Sequence, residues 1–192
     1  MKDIYVNEQN FYKKIKKYIN NKKCIIHFLY KSHDIIDDSF LKDHKTNKDI
    51  RDMIHMTHAI NIKEKKERYS YIYDQVCEFL DTEFQVNNIC KFENNLCIGV
   101  RSHCHCQSEY GCCYGRKRGL CKNLVDNHCT IQSISCKLFV CSCLKKKKIE
   151  YKVNDIVLLK YFFNRVQKYY IEYSLFKDKS EMIPLLLKYT RK

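Results

Sequence analysis

"KERYSYIYDQVCEFLDTEF" occupies residues 66–84, and its spacing sets the expected fold class. Tyr69, Ile72, Tyr73, Val76, Cys77, Leu80 and Phe84 recur at intervals of 3, 1, 3, 1, 3 and 4 residues. That is one face of a 3.6-residue period, so the stretch predicts an amphipathic helix. Cys77 lies on the apolar face, which makes it a core thiol rather than a reactive one. The chain has one proline and four glycines among 192 residues. So few breakers point to long helices rather than a many-turn β fold.

Working toward the N-terminus, residues 47–60 predict a second helix carrying Ile50, Met53 and Ile54. "HDIIDDSFLKDHKTN" (33–47) reads as an irregular acidic connection. "CIIHFLY" (24–30) is an apolar run that fits either a buried strand or the start of the next helix, with Cys24 in the core in both cases. Asn7 or Asn10 is placed to cap a helix with Phe11, Ile15, Tyr18 and Ile19 on one face. Beyond the central helix, "VNDIVLLKYFFNRVQKYYIEYSLF" (153–176) again has helical spacing, with Asn154 or Asp155 as cap. "KSEMIPLLLKY" (179–189) suggests a last helix capped by Ser180, with Pro184 inside its first turn.

Between these helical stretches the periodicity is lost. Eleven of the thirteen cysteines fall between residues 90 and 143, at 90, 97, 104, 106, 112, 113, 121, 129, 136, 141 and 143. All four glycines fall there too. His103, His105 and His128 are interleaved. Disulfides, redox nucleophiles and metal ligands are three uses for such thiols. The N-terminus "MKDIYVNEQNFYKKIKKY" lacks the apolar core of a signal peptide. The apolar runs are far shorter than the roughly 20 residues of a spanning helix. The expected location is therefore the cytoplasm, without membrane insertion. Disulfides are unstable there, and a thiol cluster more often holds metal. An odd number of cysteines also fits poorly with a closed disulfide set. A segment with few packing residues needs an added constraint to order it, and metal ligation supplies one.

Tetrahedral zinc takes four sulfur or nitrogen ligands, and iron–sulfur clusters take cysteine thiolates. The spacing leaves the choice of ion open. Neither the strict C-x₂-C pairs of DNA-reading zinc fingers nor the C-x-x-C redox motif is present. The candidate ligands are Cys97, Cys104, Cys106, Cys112, Cys113, Cys121, Cys129, Cys136, Cys141 and Cys143. His55 and His58, at i and i+3 on the predicted second helix, would need a third ligand to hold a metal.

The stretch "CKNLVDNHCTIQSISCKLFVC" (121–141) resembles the YkgJ-like cysteine-cluster family, a zinc- or iron-chelating domain. The resemblance runs through the Cys112–Cys113 pair, Cys121 with Leu124, Asp126–Asn127 in a polar turn, and Cys129 with Ile131. It continues through Cys136-Lys137-Leu138-Phe139 to Cys141. It covers about 40 residues. This chain departs from the pattern in having Cys104-His105-Cys106 where the family has C-x-x-C. It also has Ile134-Ser135 where the family has Arg-Pro. The resemblance implies metal binding and no particular reaction. One relative, the flagellin lysine N-methylase, carries a similar cluster and uses S-adenosylmethionine.

Formal net charge is +14, unevenly distributed. Residues 1–89 carry +2, residues 90–143 carry +4 and residues 144–192 carry +8. The last segment can attract an acidic protein or a nucleic acid. "GRKRG" (115–119) and "KKKK" (145–148) are basic patches beside the thiols. The first is readable as a clamp for a phosphate or carboxylate or as compensation of the thiolate charge, the second as an anion-binding patch or a solvated lead-in to the next helix.

The sequence thus predicts a mainly α protein with an irregular Cys-rich metal-binding module and helices flanking the cluster on both sides. Residues 1–89 form a helical N-terminal region, 90–143 the module and 144–192 a basic helical C-terminal region. The expected function is metal binding through a cysteine cluster, zinc or iron–sulfur, in a structural or electron-transfer role. The alternatives are a metal-cluster-dependent protein-modifying enzyme, such as a lysine N-methylase, and a zinc-dependent nucleic-acid-binding protein.

Overall fold

Strand β1 (Lys2–Asn7) alternates cleanly, with Ile4 and Val6 facing inward and Asp3, Tyr5 and Asn7 facing solvent. In the computed structural model it pairs in parallel with β2 (Cys24–Tyr30), matching Ile4 to Ile26 and Val6 to Phe28. The structure describes residues 1–86, 92–94, 96–97, 114–115, 119–140 and 142–190, with backbone alone at 92, 93, 96, 97, 114, 115, 119, 120, 142 and 143.

The apolar run 24–30 is therefore a strand. Its β-branched and aromatic residues bury Cys24, Ile26 and Phe28 on one face. Parallel pairing requires a crossover, and residues 8–23 provide it. Within the crossover, α1 (Phe11–Ile15) is a single short helix that buries Phe11 and Ile15. It stops at Ile15, so Tyr18 and Ile19 lie in turns rather than on the expected helix.

The connection predicted over 33–47 contains two further elements. Strand β3 (His33–Ile35) pairs antiparallel with β2. The hairpin turn is Lys31–Ser32, both with positive φ, 45° and 63°. Two left-handed residues in a two-residue loop give the type I′ geometry that suits strand twist. Helical turn α2 (Phe40–Asp43) follows. The N-terminal region expected to be helical thus contains a three-stranded sheet in the order β1-β2-β3.

Helix α3 (Lys48–Asn61) starts where expected, capped by the Asn47 side chain, which accepts from the Ile50 N–H at 2.9 Å. Its last residue ties it to the sheet. The Asn61 side chain accepts from Ile26 N–H and donates to Ile26 O, each at 2.8 Å. Helix α4 (Lys65–Asp81) buries Tyr69, Ile72, Tyr73, Val76, Cys77 and Leu80, the predicted face except for Phe84, which is half-buried in the π turn at Thr82–Val86 that follows. The Arg68 guanidinium, also buried, donates to the carbonyls of Ile19 and Ile62.

Short hairpins follow in the Cys-rich segment: β4 (Phe92–Glu93) with β5 (Leu96–Cys97), β6 (Tyr114–Gly115) with β7 (Gly119–Leu120), and β8 (Leu124–Val125) with β9 (His128–Cys129). Two short helices, α5 (Ile134–Leu138) and α6 (Ser142–Lys146), lead to α7 (Val157–Phe162), α8 (Arg165–Tyr173) and α9 (Lys179–Lys188). Helix α4 packs against α3, α5, α7 and α9, which makes it the hub of the fold.

The helix expected over 154–176 is two helices. Phe163 is extended and buried, with its ring 4.8 Å from that of Tyr69. Asn164 then starts α8 with a capping box shared with Gln167. Neither Asn154 nor Asp155 caps α7; the Asp155 carboxylate accepts from the Lys152 N–H instead. Helix α9 is capped by Asp178, boxed with Glu181, rather than by Ser180. Pro184 is consequently the sixth helical residue. It brings no N–H for the carbonyl of Ser180, an exposed residue.

Candidate metal centre and a histidine-lined cavity

The turn between β8 and β9 builds the best-defined part of the thiol segment. Asp126 and Asn127 both have positive φ, 47° and 67°, again the two-residue turn of a tight hairpin. Leu124 pairs with Cys129, Leu124 N–H bonds to the Cys121 carbonyl at 2.9 Å, and Thr130 N–H bonds to Asn123 O at 2.8 Å. The hairpin thus returns Cys129 toward Cys121. Ser133 caps α5 through the Cys136 N–H, which places Cys136 in the first turn of that helix.

Burial pushes the Cys129 thiol up, the Ile131 N–H and Lys137 oppose that, and the Cys136 and Cys121 sulfurs add to it. Cys129 therefore senses the charges of Cys121 and Cys136, although the three come from different stretches of chain. Cys136 Sγ also accepts from the Phe176 N–H at 3.1 Å. At Cys129 the Ile131 N–H aimed at the sulfur offsets part of the effect of burial.

Three side chains outside the thiol motif hold this segment in place. The Gln85 amide pairs with the Cys129 backbone, accepting from its N–H at 2.6 Å and donating to its carbonyl at 3.4 Å. Asp81 accepts from both Gln85 and the buried ammonium of Lys137. Tyr73 Oη accepts from the Ile134 N–H at 3.1 Å, and Ser135 Oγ donates to the Glu172 carbonyl on α8. The apolar periodicity of α4 gives no hint that its C-terminal end grips the thiol strand. No sequence signal singles out Gln85 or Asp81.

Of the remaining candidate ligands, Cys104, Cys106, Cys112, Cys113 and Cys141 lie outside the described residues, as do His103 and His105. Cys97 is on β5 and Cys143 on α6, with backbone alone described. His128 is exposed and its Nδ1 pairs with the Asp126 carbonyl at 2.7 Å. Cys24 and Cys77 are buried core thiols as expected, and burial drives the Cys77 thiol up to about 12. Among the described residues, no three Cys, His, Asp or Glu groups are gathered to hold a metal ion.

A second centre lies on α3, where the sequence offered a histidine pair without a third ligand. His55 and His58, spaced for a metal on α3, are instead wired together through Asp38 and Tyr71. His58 Nδ1 lies 2.8 Å from Asp38 Oδ1, Tyr71 Oη donates to Asp38 Oδ2 at 2.9 Å, and His55 Nδ1 meets Tyr71 Oη at 2.8 Å. Because the Tyr71 hydroxyl hydrogen goes to Asp38, the Tyr71 oxygen accepts from His55. That fixes the proton on His55 Nδ1 and leaves its Nε2 as an acceptor. Burial lowers the His55 pKa to about 4, so the ring is neutral near pH 7. Burial, with Asp38 nearby, pushes the Tyr71 phenol well above its usual range.

His55 and Asp38 line a cavity of about 510 Å³ between α3, α4 and residues 155–158. Val76, Ile156 and Leu158 are its buried apolar lining residues, and Lys42, Lys45 and Arg51 are exposed lining residues. The Thr46 hydroxyl, also in the lining, is buried without a hydrogen-bond partner. The distance between Asp38 and His55 in sequence explains why the i, i+3 pattern alone was uninformative.

No protein-family model, no curated protein and no solved structure matches the chain.

Proposed function

We propose that the chain is a metal-binding protein of the YkgJ-like type, holding zinc or an iron–sulfur cluster with its cysteine segment. The observation that carries this reading is the pair of N–H groups, of Ile131 and Phe176, directed at the Cys129 and Cys136 sulfurs, with Cys121 near enough to act electrostatically on Cys129. The remaining ligands come from Cys97, Cys104, Cys106, Cys112, Cys113, Cys141 and Cys143. A site filled entirely by thiolates is closed, which suits a structural or electron-transfer role. Among the described residues no helix is long and apolar enough to cross a membrane. The proposed setting is the cytoplasm, where free thiols persist. The basic segment 144–192 is the proposed docking region for an acidic partner.

The test is the metal content of protein purified without oxygen and without a metal-binding tag. One or two zinc ions per chain, or roughly four iron and four sulfide per cluster, is the expected result. The triple variant Cys121→Ser, Cys129→Ser, Cys136→Ser should lose that metal. A folded, metal-free protein, or a variant that keeps its full metal, overturns the reading.

A further inference from the structure

One exposed aromatic surface stands apart from the rest of the molecule. Among the described residues, Val166, Tyr169, Tyr173, Leu175 and Phe176 are large apolar side chains left in solvent within eleven residues of chain. Tyr169, Tyr173 and Phe176 are each 60–63% exposed. Tyr169 and Tyr173 are one turn apart on α8, with ring centroids 4.9 Å apart and planes tilted by 40°. Tyr170 extends the cluster inward, stacking on Tyr189 at 4.9 Å. Solvation of isolated apolar groups is ordinary, but a close tyrosine pair with three more exposed apolar side chains within eleven residues marks a contact surface.

The backbone below the patch carries an independent signal. Phe176 has φ 65°, in the left-handed region that a bulky residue occupies only under constraint. The constraint is visible: its N–H is fixed on Cys136 Sγ, while α8 is tied to α5 through Ser135 and Glu172. Holding a phenylalanine in a strained turn with its ring in water is unfavourable for the fold alone. Strain of this kind persists where function requires the geometry.

Charge decides what the face receives. Exposed Arg165 and Lys177 flank the rings in sequence, one turn before Tyr169 and next to Phe176. Residues 144–192 carry thirteen basic and five acidic side chains, including the exposed run Lys145–Lys148. We propose that the Tyr169–Tyr173–Phe176 face is a stacking surface for single-stranded nucleic acid, with Arg165 and Lys177 contacting the phosphates. Bases have two π-faces and stack on aromatic side chains regardless of sequence, while phosphates follow the cations. A base sandwiched between two rings needs about 6.8 Å, twice the 3.4 Å stacking repeat. Tyr169 and Tyr173 are closer than that, so bases lie on the outer faces of the rings. A duplex, whose bases are already stacked, offers the rings nothing and is bound through its phosphates alone.

The test uses fluorescein-labelled 15-nucleotide oligothymidylate and oligouridylate, with a 15-base-pair duplex as control, read by anisotropy across a salt series. The proposal expects both single strands to bind more tightly than the duplex, with affinity falling as salt rises. Tyr169→Ala with Tyr173→Ala should weaken single-strand binding by about tenfold or more and leave duplex binding unchanged. Phe176→Gly should also weaken it. Glycine relieves the left-handed backbone, so loss of binding in that variant cannot be ascribed to a damaged fold.

No binding at low salt overturns the proposal. So does binding that drops on neutralising Lys145–Lys148 but ignores the tyrosines, because that is phosphate attraction only. Burial of the tyrosines in a protein contact, with the oligonucleotides unbound, overturns it in favour of a protein partner. Metal is counted in the same samples. Nucleic-acid binding by metal-free protein would break the metal reading and leave this one standing, and the converse separates them equally.

Discussion

The sheet-and-helix part, residues 1–86, and the thiol hairpin with its helix, residues 121–140, are held by different forces. In the first, side chains such as Phe11, Phe28, Ile54 and Ile72 are completely shielded from water and pack on one another. In the second, Leu124, Ile134 and Val140 are the buried apolar side chains. Order there comes from a tight turn, a helix cap and polar side chains reaching across from α4. The contrast teaches that the first region carries its own stability, whereas the second borrows from α4 and, on the proposed function, from a metal.

The largest expected effect separates the two regions directly. Phe28→Ala should lower unfolding stability by about 3–5 kcal/mol in urea. Removing the exposed ring of Phe139, in the thiol segment, should change it by less than about 0.5 kcal/mol. Similar losses at both sites would break the comparison.

Next comes acid. The folded pKa of His55 lies at about 4, below the 6.5 of an exposed histidine. Between those values the unfolded chain binds the extra proton and the folded chain does not. The His55 contribution is therefore full above pH 6.5 and is lost as pH falls toward 4, by up to about 3 kcal/mol. Denaturant titrations of the parent protein and His55→Gln should diverge below pH 6.5. A constant difference across that window would contradict the burial of His55 as a neutral ring.

Gln85→Ala sharpens the comparison from the other side, by cutting the link between α4 and the thiol strand. It should cost about 1–3 kcal/mol where the Cys129 N–H loses its acceptor. The loss should appear as faster amide exchange at Cys129 while Ile72 is unchanged. The smallest effect, about 1 kcal/mol, is expected for Asp178→Ala, which removes the cap of α9. Thermal unfolding reads that change as a modest fall in Tm.

The α4 face, α3 and the core status of Cys24 and Cys77 were legible because burial imposes a 3.6-residue period on helices. Strand β3 was not, because its turn is Lys31–Ser32 where Asn-Gly or Asp-Gly would have announced it. The break before α8 was hidden because Phe163 is as apolar as the helix around it, and only Asn164 marks the new start. For the thiol segment the sequence supplied candidate ligand types but not their positions. Gln85, Asp81 and Tyr73 act from another element, and such long-range pairings leave no periodic trace. The chain His55–Tyr71–Asp38–His58 was unreadable for the same reason.

The most direct test of the central claim is amide hydrogen exchange with and without a metal chelator. The account predicts that chelation exposes the amides of Ile131 and Phe176, whose N–H groups face the Cys129 and Cys136 sulfurs. It predicts that Ile72 and Leu80 in α4 keep their protection. Unchanged protection at Ile131 and Phe176 after complete removal of metal would contradict it.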